Sequence, residues 1–341
     1  MTAVSSDLLR KFDGSGSRYT SYPTSDRFVE ACASGNYVRA LEQRRAGTAV
    51  MGLPLSLYVH IPFCQSLCYF CACNKIITKN PERAQLYLRY LGREVDLYVA
   101  RLGTRQAVSQ LHLGGGTPTF FSDDDLRALM GMLRRNFNLA PGGEYSIEVD
   151  PRTVDPNRLA ALADMGFNRL SLGVQDFDAA VQKAVHRVQE TGQVISLVEA
   201  ARRLKFESIN IDLIYGLPGQ TVGTWLYSLE EALKFAPHEL YLYPLYVRPL
   251  TGLGRSRKEW DDVRLSCYRE GRDLLLASGY EQVSMRMFRR ADAPRAAGPA
   301  YCCQEDGMIG LGCGARSYTR SLHYSLDYAV QPKSEKEIIA D

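Results

Sequence analysis

Short apolar runs alternate with longer amphipathic segments from about residue 55 to residue 246. The runs LSLYVHI (55–61), VSQLHL (108–113), YSIEV (145–149), RLSLGV (169–174), SINIDLI (208–214) and ELYLYPLY (239–246) are short, and loop or turn residues separate them from the segments between; they predict strands. Segments 82–102, 122–137 and 223–236 repeat apolar residues at three- and four-residue intervals, which predicts helices. Ser122, followed by three aspartates, predicts the N-cap and first turn of the second of these. Strands alternating with helices imply an α/β fold with a parallel sheet wound by right-handed crossovers. Periodicity leaves open whether that sheet is open and doubly wound or a closed or partly closed barrel. In either case the chemistry belongs at the carboxyl ends of the strands.

Those ends are where the unusual residues fall. HIPFC follows the first strand, GGGTPT the second, and Glu148 to Asp150 close the third. Gln175 follows the fourth, and Asp212 with YGLPGQT closes the fifth. One edge thus collects thiols, glycines, carboxylates and an amide, which points to an enzyme. The first fifty residues read as an irregular arm containing SRYTSYPTSDRF (17–28). After about residue 255 the pattern changes, through a helix-like stretch (259–278) to the glycine-rich YCCQEDGMIGLGCGARSYT (301–319).

Composition narrows the picture. The chain has 341 residues, 45% of them apolar and 23% charged, with a net charge of +3. That is an ordinary soluble balance, too weakly basic for nucleic acid, and no apolar run reaches the ~18 residues of a membrane span. The N-terminal stretch MTAVSSDLLRKFDGSGS has no apolar signal core, so a cytoplasmic protein is expected. Nine cysteines in such a chain suggest a metal site, and four lie in CQSLCYFCAC, residues 64–73. Zinc knuckles usually supply two separated cysteine pairs, which this loop does not. Three thiolates around a cubane iron–sulfur cluster instead leave one iron for another ligand.

The spacing Cys64-x3-Cys68-x2-Cys71, with Phe70 before the last thiol, resembles the signature of radical S-adenosylmethionine (SAM) enzymes. YVHIPFC (58–64), CNKI (73–76), LGGGTPT (113–119), SIEVDPR (146–152), GFNRLSLGVQDF (166–177) and NIDLIYGLPGQT (210–221) extend the match. Together with the arm, they resemble the oxygen-independent coproporphyrinogen III oxidases from about residue 17 to 236.

The resemblance implies a partial (β/α)6 TIM-like barrel at 51–255, with an N-terminal arm at 1–50 and a short, divergent C-terminal extension at 256–341. It implies a [4Fe–4S] cluster held by Cys64, Cys68 and Cys71, and one SAM molecule, or two. Gly115 and Gly116 would let the backbone approach SAM closely. Thr117, Gln175 and Arg187 would hydrogen-bond it, Glu148 and Asp212 would take amino or ribose groups, and Tyr58 and Phe70 would pack beside cluster and adenine. Tyr58 and Cys73 are the expected catalytic positions, Cys73 being the thiol left over. Arg187 alone, in a polar stretch, reads by default as a solvated helix face, and His60 as a satisfied core residue. The implied activity is oxidative decarboxylation of coproporphyrinogen III by a monomer fed by a reducing donor such as flavodoxin or ferredoxin. Arg18, Arg27, Arg286, Arg289 and Arg290 are candidate partners for the substrate carboxylates. The alternatives are a related radical SAM methyltransferase or cyclopropane-forming enzyme, and a non-catalytic heme-binding chaperone.

Overall fold

The computed structural model describes residues 34–45, 54–248, 251–256, 261–293, 307–319 and 322–325. Its strands, in chain order, are β1 (Leu55–Ile61), β2 (Phe63–Cys64), β3 (Ile76–Ile77), β4 (Gln106–Gly115), β5 (Phe137–Val149), β6 (Arg169–Gln175), β7 (Ser208–Tyr215) and β8 (Glu239–Pro244), then β9 (Tyr280–Gln282), β10 (Met287–Arg290), β11 (Met308–Leu311), β12 (Arg316–Tyr318) and β13 (His323–Ser325). Eleven of them form one sheet in the order β13-β12-β11-β1-β4-β5-β6-β7-β8-β10-β9. β1 and β4 to β8 run parallel in chain order, with helices between them. Among the described residues the end strands do not pair with each other, so the sheet is an open strip and a partial barrel.

The helices form where the spacing of apolar residues allows. Glu82–Leu102 buries Ala84, Tyr87, Leu91, Val95, Tyr98 and Leu102, one every three or four positions. Asp123–Asn136 starts at Ser122, whose hydroxyl accepts from the Asp125 amide at 3.1 Å while the Asp125 carboxylate accepts from the Ser122 amide at 3.2 Å. β1 begins and ends as its sequence pattern predicts.

Three elements differ from the sequence reading. β5 begins at Phe137, directly after the preceding helix. Phe137 to Leu139 pair with Gln106 to Val108, the register then slips, and Glu144 resumes opposite Gln110. Pro141 and the two glycines at the slip hide this extra strand from a periodicity argument. β11 lies within the glycine-rich segment yet pairs parallel with β1, Leu57 opposite Ile309. Within the first fifty residues, Ser34–Arg45 is a helix that buries Tyr37 and Leu41. The Tyr37 ring stacks on Tyr324 at 4.5 Å and meets Tyr98 edge-on, so the two ends of the described chain close over one side of the sheet. The segment 17–28 and Cys302–Cys303 lie outside the described residues, as do Arg18 and Arg27.

Candidate active site

The cysteine loop leaves β1, forms β2, and returns through β3, which pairs parallel with β2. Its backbone is pinned from several sides. The Gly116 amide donates to the Ile61 carbonyl and the Thr117 amide to the Phe63 carbonyl, both at 2.8 Å. The Tyr69 amide donates to the Val185 carbonyl at 3.0 Å, and the Leu253 amide to the Tyr69 carbonyl at 2.9 Å. His186, at φ 56°, bonds the Leu67 carbonyl through Nδ1 at 2.8 Å and stacks on Tyr69. His60 is the buried support its sequence context suggests: its Nε2 meets the Asn74 carbonyl at 2.8 Å, just past Cys73.

The loop closes one side of a cleft of about 150 Å³ at the carboxyl ends of β4 to β7. Cys64, Cys68, Phe70, Cys71 and Cys73 line it from the loop. Gly115, Gly116 and Thr117 line it after β4, Glu148 from β5, Gln175 from β6 and Asp212 from β7. Arg187 lines it as well. Of the residues named from sequence for catalysis, cofactor or metal, only Tyr58 stays out of this wall. Its ring stacks on His112 at 5.8 Å, and His112 Nε2 contacts Glu148 Oε1 at 3.0 Å, so Tyr58 reaches the cleft at one remove.

Arg187 is not on a solvated face. It follows the helix Ala179–Ala184 in a loop and is buried, with Nη1 3.1 Å from Asp150 Oδ2 and 3.3 Å from Cys68 Sγ. Polarity suggests exposure only while the buried partner is unknown. That partner is Asp150, which also binds Arg152 at 2.7 Å, and Arg152 Nη2 lies 3.6 Å from Cys68 Sγ. Lys75 adds a third cation, donating to the Cys71 carbonyl at 2.8 Å. Asp150, Arg152 and Lys75 were missed as site residues; the signal was present in SIEVDPR and CNKI, but nothing in the sequence shows which charge meets which thiol. Burial alone raises the Asp150 carboxyl, yet Arg187 and Arg152 outweigh it and hold the group below the usual range.

The thiols are not equivalent. Burial pushes Cys64 up to about 12 although Thr117 Oγ1 donates to its sulfur at 3.5 Å. A hydrogen bond from the Cys73 thiol draws Cys71 down to about 6, and Cys73 itself is raised and exposed. Gly115 and Gly116 are required by the protein's own packing. A Cβ on Gly116 would lie 2.8 Å from the Phe63 carbonyl, and one on Gly115 would lie 2.7 Å from the His60 ring, with φ +112°. Their main chain, not the space beyond it, faces the cleft.

Farther along the edge, Gln175 sits at φ 75°. A buried network supports this strained position. Asp176 accepts from Gln220 at 2.6 Å and from Ser228 at 2.9 Å. Asp212 accepts from Asn210 at 2.9 Å and from Ser171 at 3.1 Å. Burial still pushes its carboxyl up to about 6. A raised folded-state value means that the carboxyl opposes folding progressively as the pH rises above its unfolded value of about 4, and fully once the pH exceeds the folded value. Asp212→Asn should therefore stabilise the cofactor-free protein at neutral pH, by up to about 3 kcal/mol, with the gain gone below about pH 4. Thermal denaturation across pH checks this, and a variant less stable than the parent at pH 7.5 would contradict it.

These residues suit a cluster and a polar ligand beside it. The thiols share one cleft, but no three metal-binding side chains among the described residues converge on a single ion. A multi-iron cluster takes each thiolate on a different iron and leaves one iron for a ligand in the same cleft. Three cations face the thiols. Two buried polar atoms near the carboxylates, Asn210 Oδ1 and Arg187 Nε, have no hydrogen-bond partner among the described residues.

Fold and site together define a radical SAM protein. The radical SAM superfamily model matches residues 58–232. A solved Escherichia coli coproporphyrinogen III oxidase, described as a radical SAM enzyme, superposes with a TM-score of 0.83 at 35% identity, over 94% of this chain and 75% of that one. The oxygen-independent coproporphyrinogen III oxidase of Pseudomonas aeruginosa is 43% identical over 89% of this chain, which spans 65% of that relative. For the Escherichia coli K12 counterpart the values are 41%, 91% and 70%. The chain belongs to the radical SAM superfamily and, within it, to the family of oxygen-independent coproporphyrinogen III oxidases, and its cofactors are the [4Fe–4S] cluster and SAM of that superfamily.

Proposed function

We propose that the chain catalyses oxidative decarboxylation of the propionates on rings A and B of coproporphyrinogen III to vinyl groups, giving protoporphyrinogen IX. The observation that carries this reading is the thiol-lined cleft bordered by Glu148, Gln175, Arg187 and Asp212, in a chain this similar to named oxidases over most of its length. When bound and reduced, the cofactors supply a 5′-deoxyadenosyl radical able to take hydrogen from an unactivated carbon. Cys64, Cys68 and Cys71 would hold the cluster, and Arg152, Arg187 and Lys75 would balance the negative charge of its thiolates. Glu148, steadied by His112 and by the Gly115 amide at 3.3 Å, would accept the amino group of SAM. Asp212 and Gln175 would hold the ribose hydroxyls, while Thr117 and the Gly115–Gly116 backbone fix the methionine end. Phe70, packed among Val181, Leu217 and Leu253, would form an apolar wall for the adenine.

Each vinyl group requires removal of one hydrogen from the carbon β to the carboxylate, then loss of CO2 and of one electron to an acceptor. A low-potential donor such as flavodoxin or ferredoxin would reduce the cluster. Residues 51–255 would form the catalytic unit, and residues 1–50 and 256–341 the cover over it. The test is an anaerobic incubation of reconstituted protein with reductant, SAM and coproporphyrinogen III, read by mass spectrometry. Two successive losses of CO2 are expected. Brisk SAM cleavage with intact coproporphyrinogen III would favour a different substrate.

A further inference from the structure

The wall of the barrel beyond Asp212 is aromatic. β8 pairs with β7 so that Tyr241 lies opposite Asp212 and Tyr243 opposite Ile214. Side chains alternate along a strand, so both tyrosines share the face on which Asp212 lines the cleft, while Leu240 and Leu242 are fully buried on the other. The two rings stack at 6.0 Å with planes 17° apart. Behind burial, Asp212 and Glu148 help hold the Tyr243 phenol up and Arg286 pulls it down, so all three charges act on this ring.

Arg286 precedes β10, its carbonyl accepts from the Leu242 amide at 2.8 Å, and its guanidinium lies 5.6 Å over the Tyr243 ring. Its charge differs from its neighbours in one respect. Arg264 pairs with Asp262, Arg289 with Glu239 and Arg290 with Asp292. Arg289 and Arg290 therefore sit beside the start of β8, at the far end from the chemistry. Half-buried Arg286 has no carboxylate partner among the described residues; its partner is an aromatic face. An arginine stacked on a ring is held in place while its planar fork stays free for a carboxylate.

We infer that Arg286, seated on Tyr243, receives a carboxylate of the substrate, with Tyr241 and Tyr243 as the flat surface against which a pyrrole ring rests. This rests on the proposed function and deepens it, because it names the side of the site that selects the substrate's propionates. Of the three described arginines among the five suggested by sequence, it also singles out the one whose surroundings suit the task.

Coproporphyrin III, the stable fluorescent oxidised form, is the probe, titrated into reconstituted protein with SAM present. Arg286→Gln should weaken its binding about tenfold or more, the worth of a hydrogen bond to a charged group. Arg286→Lys should recover part of the loss, and the tetramethyl ester should bind parent and Arg286→Gln alike. Affinity for SAM, measured in parallel, reports on an intact fold. Equal binding of coproporphyrin III by the parent and a folded Arg286→Gln overturns the inference. If the parent decarboxylates coproporphyrinogen III and Arg286→Gln leaves KM unchanged, the inference fails alone. If the parent neither binds the porphyrin nor releases CO2, the proposed function fails with it.

Discussion

Alanine at Cys64, Cys68 or Cys71 is expected to abolish the iron–sulfur chromophore, and alanine at Cys73 to preserve it. All four thiols line one cleft, so position alone does not separate them. Their surroundings do. Cys68 is buried and faces the guanidinium groups of Arg152 and Arg187, and Cys64 accepts from Thr117. Cys71 is the thiol whose ionisation its neighbours favour, through the Cys73 thiol first and, after the opposing effect of burial, Lys75. Cys73 is exposed and acts as a donor to Cys71, a role that Cys73→Ala removes without touching a ligand. Iron and sulfide content after anaerobic reconstitution, with the visible spectrum, checks the series. A Cys73→Ala protein without a cluster, or a Cys68→Ala protein with one, would show that the division of labour is wrong.

The second large effect is expected at Asp150. Its carboxylate is shared by Arg152 at 2.7 Å and Arg187 at 3.1 Å, and both carboxylate and Arg187 are buried. Asp150→Ala leaves two positive charges against Cys68 with no counter-charge, and breaking a buried pair in this way costs about 3–5 kcal/mol. Asp150→Asn keeps hydrogen-bond acceptance and should cost less. Because the carboxyl is held below its ordinary value, its contribution is present above about pH 4 and is lost as the pH falls through the folded-state value. Thermal or urea unfolding of the cofactor-free protein should show a deficit for Asp150→Ala that is large at pH 7 and shrinks in acid. A deficit independent of pH would mean that Asp150 acts by shape and not by charge.

Strands and helices were legible where burial imposes a regular pattern, as in β1 and in the helix Glu82–Leu102. They were not legible where neighbours impose the conformation. β11 carries Gly310, and Gly312 follows it, because a Cβ on Gly310 would lie 2.4 Å from the Arg316 backbone and one on Gly312 would lie 2.3 Å from the Tyr87 hydroxyl, so a segment that reads as loop is forced flat against its neighbours. The helix Ser34–Arg45 offers only Tyr37 and Leu41 to the core, too few for a period, and ring contacts from Tyr98 and Tyr324 complete the patch. In the site, the thiols, glycines and carboxylates were legible because strand ends gather them. What sequence could not show was pairing over long separations. Arg187 meets Asp150, His112 meets Glu148, and His186 holds Leu67, each through folding that brings distant loops together.

The proposed reaction requires this cleft to direct a radical at the carbon β to a propionate carboxylate of coproporphyrinogen III. Coproporphyrinogen III deuterated at that carbon, incubated anaerobically with reconstituted protein, reductant and SAM, tests it most directly through the isotope content of the 5′-deoxyadenosine formed. One deuterium transferred to 5′-deoxyadenosine is expected for each CO2 released. Unlabelled 5′-deoxyadenosine alongside unconverted porphyrinogen would contradict it.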